Sequence, residues 1–255
     1  MTSLSNKSAI VTGGASGLGA AVATHLASLG AKVCLFDMNP DAAMATAAKI
    51  GASWQQVDVS DADSVAEGFE AARGAQGQES ILVNCAGIGP AAKTVSKGAP
   101  HDPALFAKVI GVNLLGSFYC ASHAAAGMVQ SDPSAPDGER GVIINTASVA
   151  AYEGQVGQVA YAASKGGIVG MTLPMARDLA DKGVRIATIA PGLFKTPLLE
   201  GLPQEVQDSL GAQVPFPSRL GDPKEFAALV AHIVDNPMLN GEVIRLDGAI
   251  RMAPR

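Results

Sequence analysis

The chain has 255 residues, of which 48% are apolar, 4% aromatic and 16% charged, and its formal net charge is -5. That length can bury one large core or two small ones, and few aromatics beside 29 glycines suit helices packed closely on a sheet better than an aromatic-rich sandwich. The acidic balance and the lack of any Lys/Arg block argue against a nucleic-acid partner, although backbone N–H groups can still hold a small anion locally. Cys34, Cys85 and Cys120 form no CxxC pair and read as buried reduced thiols. His25, His101, His123 and His232 lack metal-ligand spacing, so no metal is expected. The start, MTSLSNKSAIVTGG, carries no apolar signal core, and no apolar run reads as long and unbroken enough to span a bilayer. A soluble cytoplasmic protein with no membrane partner is expected.

In chain order, strands are predicted over 8–13, 32–37, 53–58, 81–87, 141–148, 184–192 and 241–248. Helices are predicted over 18–30, 40–50, 61–73, 103–130, 157–181 and 223–235. Most strands are continuous apolar runs rather than alternating ones, which points to burial on both faces of a parallel sheet. Strand–helix alternation with right-handed crossovers then gives a doubly wound α/β fold in a single domain over 1–255. Segments 131–140 and 89–102 are turn-rich and read as loops. The longest irregular stretch, 192–223, reads as a substrate lid, with Leu193, Phe194, Leu198, Leu199 and Phe216 as apolar side chains that can close over a ligand.

VTGGASGLG follows the first strand and opens the first helix. Glycine suits a backbone that must turn with positive φ or let a ligand approach, and a helix start offers free N–H groups to a pyrophosphate. Such a turn alone can be an ordinary strand–helix connection. Asp37 ends the second strand, where its carboxylate can accept from ribose hydroxyls and would repel a 2′-phosphate; Gly14, Ala15 and Met38 supply no cation beside it. NAD is therefore expected rather than NADP. Asp58 and Val59 end the third strand near an adenine edge, although Asp58 reads almost equally well as a helix cap. Asn84, Cys85, Ala86 and Gly87 end the fourth strand and would pass close to the cofactor.

Tyr161 and Lys165 stand four residues apart on a predicted helix and share a face. A nearby ammonium stabilises phenolate and is expected to lower the phenol's pKa, which makes a general acid/base. Ser148 ends its strand on the carboxyl side, where open α/β sheets bind ligands, and can hold a substrate oxygen. Tyr152 lacks a lysine partner and reads as a pocket wall or a packing residue.

T-G-x-x-x-G-x-G at 12–19, N-x-A-G at 84–87, Asn113, Ser148, Y-x-x-x-K at 161–165 and P-G at 191–192 resemble the short-chain dehydrogenase/reductase superfamily over nearly the whole chain. The resemblance implies a seven-stranded Rossmann-like sheet of order 3-2-1-4-5-6-7 and a homotetramer. It also implies a tetrad in which Tyr161 is the acid/base, Lys165 lowers its pKa and holds the nicotinamide ribose, Ser148 orients the substrate, and Asn113 sustains a water relay. One departure is Cys85, where N-N-A-G is commoner. Longer runs, among them TIAPGLFKTPLLEGLP and LNGEVIRLDGAIRM, resemble the type II 3-hydroxyacyl-CoA dehydrogenases. These imply oxidation of an (S)-3-hydroxyacyl-CoA, short branched ones included, with hydroxysteroids or other secondary alcohols as alternatives and a scaffold role as a non-enzymatic one. Cofactor contacts carried over by this resemblance fall on Ser16, Leu18, Asp37, Asp58, Val59, Cys85, Tyr161, Lys165, Phe194 and Thr196, beside Gly13, Gly17, Gly19, Asn84, Ala86, Gly87, Pro191 and Gly192 from the shared motifs. Lys93, Lys97 and Lys195 are candidates for CoA phosphates, or else solvated surface lysines.

Overall fold

In a computed structural model, which describes residues 4, 5, 7–134, 136–201 and 203–254, the chain forms one seven-stranded parallel sheet with helices on both faces. Its strands are β1 (Ser8–Thr12), β2 (Lys32–Asp37), β3 (Ser53–Gln56), β4 (Ile81–Asn84), β5 (Gly141–Thr146), β6 (Val184–Pro191) and β7 (Val243–Leu246). Counted this way, without a separate short hairpin, their order is the expected 3-2-1-4-5-6-7. Ile10 lies in register with Cys34 of β2 and Leu82 of β4. Side chains alternate faces along a strand. Ala9 and Val11 therefore enter one core with Leu26, Phe226 and Val230, while Ile10 enters the other with Phe36, Phe69 and Cys120. Both faces of β1, β4, β5 and β6 are buried throughout, whereas the edge strands β3 and β7 are only partly covered.

The crossovers are α1 (Gly17–Ser28), α2 (Pro40–Ile50), α3 (Ala62–Gln76), α4 (Pro103–Ile110) continued by α5 (Gly116–Met128), and α6 (Val159–Asp178). Asn39 caps α2 by accepting from the Ala42 N–H at 3.1 Å, and Asp61 caps α3. The predicted helix 103–130 contains a π-helical turn, Gly111–Leu115, between α4 and α5. The region expected to be irregular holds α7 (Pro197–Glu200) and α8 (Gln204–Ala212) before α9 (Pro223–Asp235). Its Gln, Glu and Asp side chains make α8 polar enough to read as loop. The loop 89–102 folds into a two-stranded antiparallel hairpin, Val95–Ser96 with Ala99–Pro100, turned by Lys97 and Gly98 at positive φ.

One expectation is corrected. Pro103–Met128 is long and apolar enough to cross a membrane by length and composition, with 33% of its most apolar window buried. The uninterrupted helix across the π turn creates that length. In the fold its α5 half packs on β4, β5 and α3, and its α4 half on α6.

Candidate active site

A cleft of about 660 Å³ runs along the carboxyl ends of the strands, the place where open α/β sheets take ligands. All the predicted cofactor positions except Asn84 line it, and of the predicted catalytic positions Ser148, Tyr161 and Lys165 do.

The first end is built from glycine backbone. Gly13 has φ +62°, and a Cβ there would stand 2.9 Å from the Ala86 backbone. This contact lets β1 and β4 close under the turn. A Cβ on Gly19 would run into the Gly13 carbonyl, so the helix start can fold tightly back on the turn. Ser16 is the N-cap of α1, with extended backbone and no side-chain capping bond, so its hydroxyl faces out beside the free N–H groups. The Asp37 carboxylate accepts from Ala15 N–H and Asn39 N–H, both at 3.0 Å, which ties β2 to the glycine turn and aims the acid into the cleft. Asp58 accepts from the Ser60 N–H at 2.9 Å and hydroxyl at 2.6 Å; the helix cap is Asp61, so Asp58 stays on the cleft.

The second end gathers three side chains. Ser148 caps a short 3-10 turn, Val149–Ala151, its oxygen accepting from the Ala150 N–H at 3.1 Å. Tyr161 sits in the first turn of α6, and Lys165 one turn later. Burial pushes the Tyr161 phenol above its ordinary value, while a hydrogen bond with Ser148 draws it back. The expected lowering by lysine is therefore corrected. The Lys165 Nζ lies 5.8 Å from the Tyr161 ring centroid and donates instead to the Thr146 carbonyl at 2.6 Å. Lys165 is itself buried, which lowers its pKa to about 8, with the nearby Cys85 opposing the shift. An ammonium 5.8 Å from the ring centroid and engaged by the Thr146 carbonyl stabilises phenolate weakly.

Two predicted residues lie beneath the cleft rather than on it. Asn84 donates to the Ser117 carbonyl at 3.1 Å and to Asn145 Oδ1 at 2.9 Å, because alternation along β4 turns it inward while Cys85 reaches the cleft. Burial raises the Cys85 thiol to about 11, so it is inert at neutral pH. Asn113, in the π turn, is fully buried. Its Oδ1 accepts from Ile88 N–H at 2.8 Å, and its Nδ2 donates to the Ile88 carbonyl at 2.9 Å and to Ser164 Oγ at 3.0 Å. Ser164 in turn donates to the Tyr161 carbonyl at 2.7 Å. Asn113 thus fixes the loop after β4 against the helix that carries Tyr161. Thr12 accepts from the Cys85 and Ala86 N–H groups, both at 3.1 Å, and holds that loop from the other side.

Of the residues expected to form a lid, Leu193, Phe194 and Leu199 line the cleft, Phe194 edge-on to Phe226 at 6.3 Å. Phe216 is 84% exposed and does not line it, and the Leu198 side chain lies outside the described residues. Lys93, Lys97 and Lys195 are exposed. Tyr152 is a packing residue: it is absent from the cleft wall, and the Arg245 guanidinium covers its ring at 5.2 Å. Sequence reasoning missed Gln155, Gln158 and Met252, which line the chemical end. Gln155 and Gln158 lie within six residues of Tyr161, a signal that was available. Met252 carries no motif.

The model of the short chain dehydrogenase family matches residues 7–207. The chain belongs to that family. It is 55% identical over 250 residues to the human 3-hydroxyacyl-CoA dehydrogenase type-2, covering 96% of this chain and 95% of that protein. The protein of the same name from Drosophila melanogaster is 48% identical over 255 residues, covering 98% and 100%. A crystal structure of 3-hydroxyacyl-CoA dehydrogenase type-2 from Mycobacterium avium superposes with a TM-score of 0.94 at 41% identity, covering 99% of this chain and 98% of that one. As a short chain dehydrogenase the protein is an oxidoreductase working with a nicotinamide dinucleotide, NAD(P). The cleft fits such a group: side-chain-free backbone at a helix start could receive a pyrophosphate, and the Asp37 carboxylate on the cleft could accept from a ribose.

Proposed function

We propose that the protein oxidises the 3-hydroxy group of a 3-hydroxyacyl-CoA reversibly, with NAD as the partner. The observation that carries the reading is the convergence of Ser148, Tyr161 and Lys165 at one end of a cleft whose other end is glycine backbone and Asp37. The substrate class comes from the names of relatives that match the chain almost end to end. NAD rather than NADP is supported by charge. Lys165 is the only basic side chain among the described residues lining the cleft, and it lies at the chemical end, so no cation there would offset the repulsion between Asp37 and a 2′-phosphate.

The dinucleotide, when bound, supplies a hydride acceptor or donor. This chain supplies position and protons. Glycine N–H groups and Ser16 would hold the pyrophosphate, Asp37 the adenosine ribose, and Lys165 the second ribose. Ser148 Oγ holds the substrate oxygen beside Tyr161 Oη. In reduction, the neutral phenol gives its proton to that oxygen; its raised pKa keeps the proton in place at neutral pH. In oxidation, the phenolate takes the hydroxyl proton. Leu193, Phe194 and Leu199, which line the cleft, would screen a bound substrate from water.

Two further parts belong to the proposal. A homotetramer is supported by Leu115, Phe118 and Leu173, apolar side chains left exposed on the π turn, α5 and α6. A cytoplasmic setting is supported by three free cysteines, which suit a reducing compartment.

The test follows NADH and NADPH oxidation in parallel with acetoacetyl-CoA. Rapid NADH use with little NADPH use is expected. NADH binding without turnover of any acyl-CoA would move the substrate to a steroid or another secondary alcohol.

A further inference from the structure

The end of the chain is held against the segment that carries Ser148. Glu153, five residues after Ser148, receives Arg245 in bidentate fashion at 2.8 and 2.9 Å and also the Met252 backbone N–H. Arg245 donates to Asp247 at 2.8 Å and to the Ile250 carbonyl at 3.0 Å. Arg251 reaches Asp247 at 3.2 Å. Further along, Gln155 Nε2 donates to the Ala253 carbonyl at 3.0 Å, and Val156 N–H to the Pro254 carbonyl at 3.1 Å. Ile250, 1% exposed, anchors the start of this tail in the core. Residues 250–254 are thus fixed by backbone and charged contacts at nearly every position. The one side chain they contribute to the cleft is Met252, beside Gln155.

We propose that Met252 is a specificity-determining residue, a wall set by the clamped tail that limits the bulk carried by the carbon chain of the substrate at the Ser148–Tyr161 end. This rests on the dehydrogenase reading above and names the side chain that sets its size selectivity. A flexible thioether on a fixed backbone suits that place, since its position is imposed by Glu153 while its own atoms adapt to an apolar chain. Removing it lengthens the pocket without touching the proton-transfer groups. Replacing it by phenylalanine shortens the pocket.

The experiment measures kcat/KM for Met252→Ala and Met252→Phe on short, medium and long straight-chain 3-ketoacyl-CoA substrates. NADH affinity is read by fluorescence as a control for folding. The alanine variant is expected to raise the long-to-short ratio about tenfold, and the phenylalanine variant to lower it by a similar factor, with NADH affinity unchanged. Equal scaling of all chain lengths in both variants would overturn the proposal. If the unaltered protein binds NADH but turns over no acyl-CoA, the substrate reading has failed separately. The same ratio is then read on secondary alcohols of increasing bulk, where opposite shifts in the two variants support Met252 as the wall and equal scaling overturns it.

Discussion

Replacing Lys165 by methionine isolates the cost of keeping an ammonium under the catalytic helix. The side chain is 4% exposed, and burial moves its pKa from 10.5 to about 8. At about 1.4 kcal/mol per pH unit, that separation is worth about 3 kcal/mol. Below about 8 the lysine is charged in both the folded and unfolded chain, and folding bears the whole desolvation cost. Between about 8 and 10.5 the folded chain releases the proton first, so stability rises with pH. Above 10.5 both forms are neutral and the cost has gone; it returns as pH falls from 10.5 and is complete below about 8. Methionine has a similar length and no charge, but it leaves the Thr146 carbonyl without its donor, a loss of about 1–3 kcal/mol at every pH. The pH-dependent difference is therefore the clean quantity. Urea unfolding of both proteins at fixed concentration, near neutral pH and near pH 10.5, should show the wild type gaining about 3 kcal/mol relative to the variant across that window. Parallel stability curves would refute the reasoning. Turnover should fall steeply below about pH 8, where the proposed ribose contact uses the ammonium that the variant lacks.

Tyr161→Phe should cut kcat by about a hundredfold to ten-thousandfold while leaving NADH affinity near wild type, checked by steady-state kinetics and fluorescence titration. Since burial raises the Tyr161 pKa, alcohol oxidation by the wild type should climb with pH above neutrality as phenolate forms, while ketone reduction should not. Matching profiles in the two directions would contradict the assignment of the acid/base. Gly13→Ala places a Cβ 2.9 Å from the Ala86 backbone at a φ of +62° and should cost about 1–3 kcal/mol. Isothermal titration should show weakened NADH binding, since the turn and the loop after β4 separate together.

Much of the fold could be read from local chemistry. Continuous apolar runs such as ILVN at β4 announced strands buried on both faces, and the glycine turn, Asp37 and the Tyr161–Lys165 spacing placed the cleft. What escaped depends on contacts distant in sequence. Asn84 was expected on the cofactor, but the paired Asn145 and the Ser117 carbonyl, brought by β5 and α5, draw it inward. The direction of the Tyr161 shift escaped because spacing puts two residues on one face without saying where Nζ points, and Thr146 decides that. Met252 escaped because Glu153 holds it from nearly a hundred positions away.

The π turn at Gly111–Leu115 sets the rotational phase of the longest helical run. Gly116 N–H closes on the Gly111 carbonyl, a wider loop than the α pattern. Each residue in an α-helix advances the face by about 100°. The extra residue lets α4 present Val109 inward and α5 present Cys120, Ala124 and Met128 to the sheet, with Asn113 facing Ile88 between them. Deleting one residue there rotates everything downstream by about 100°, so either the asparagine leaves its loop or the α5 face leaves the core. Helix length in this stretch is therefore locked to the active site, and neither can drift without the other.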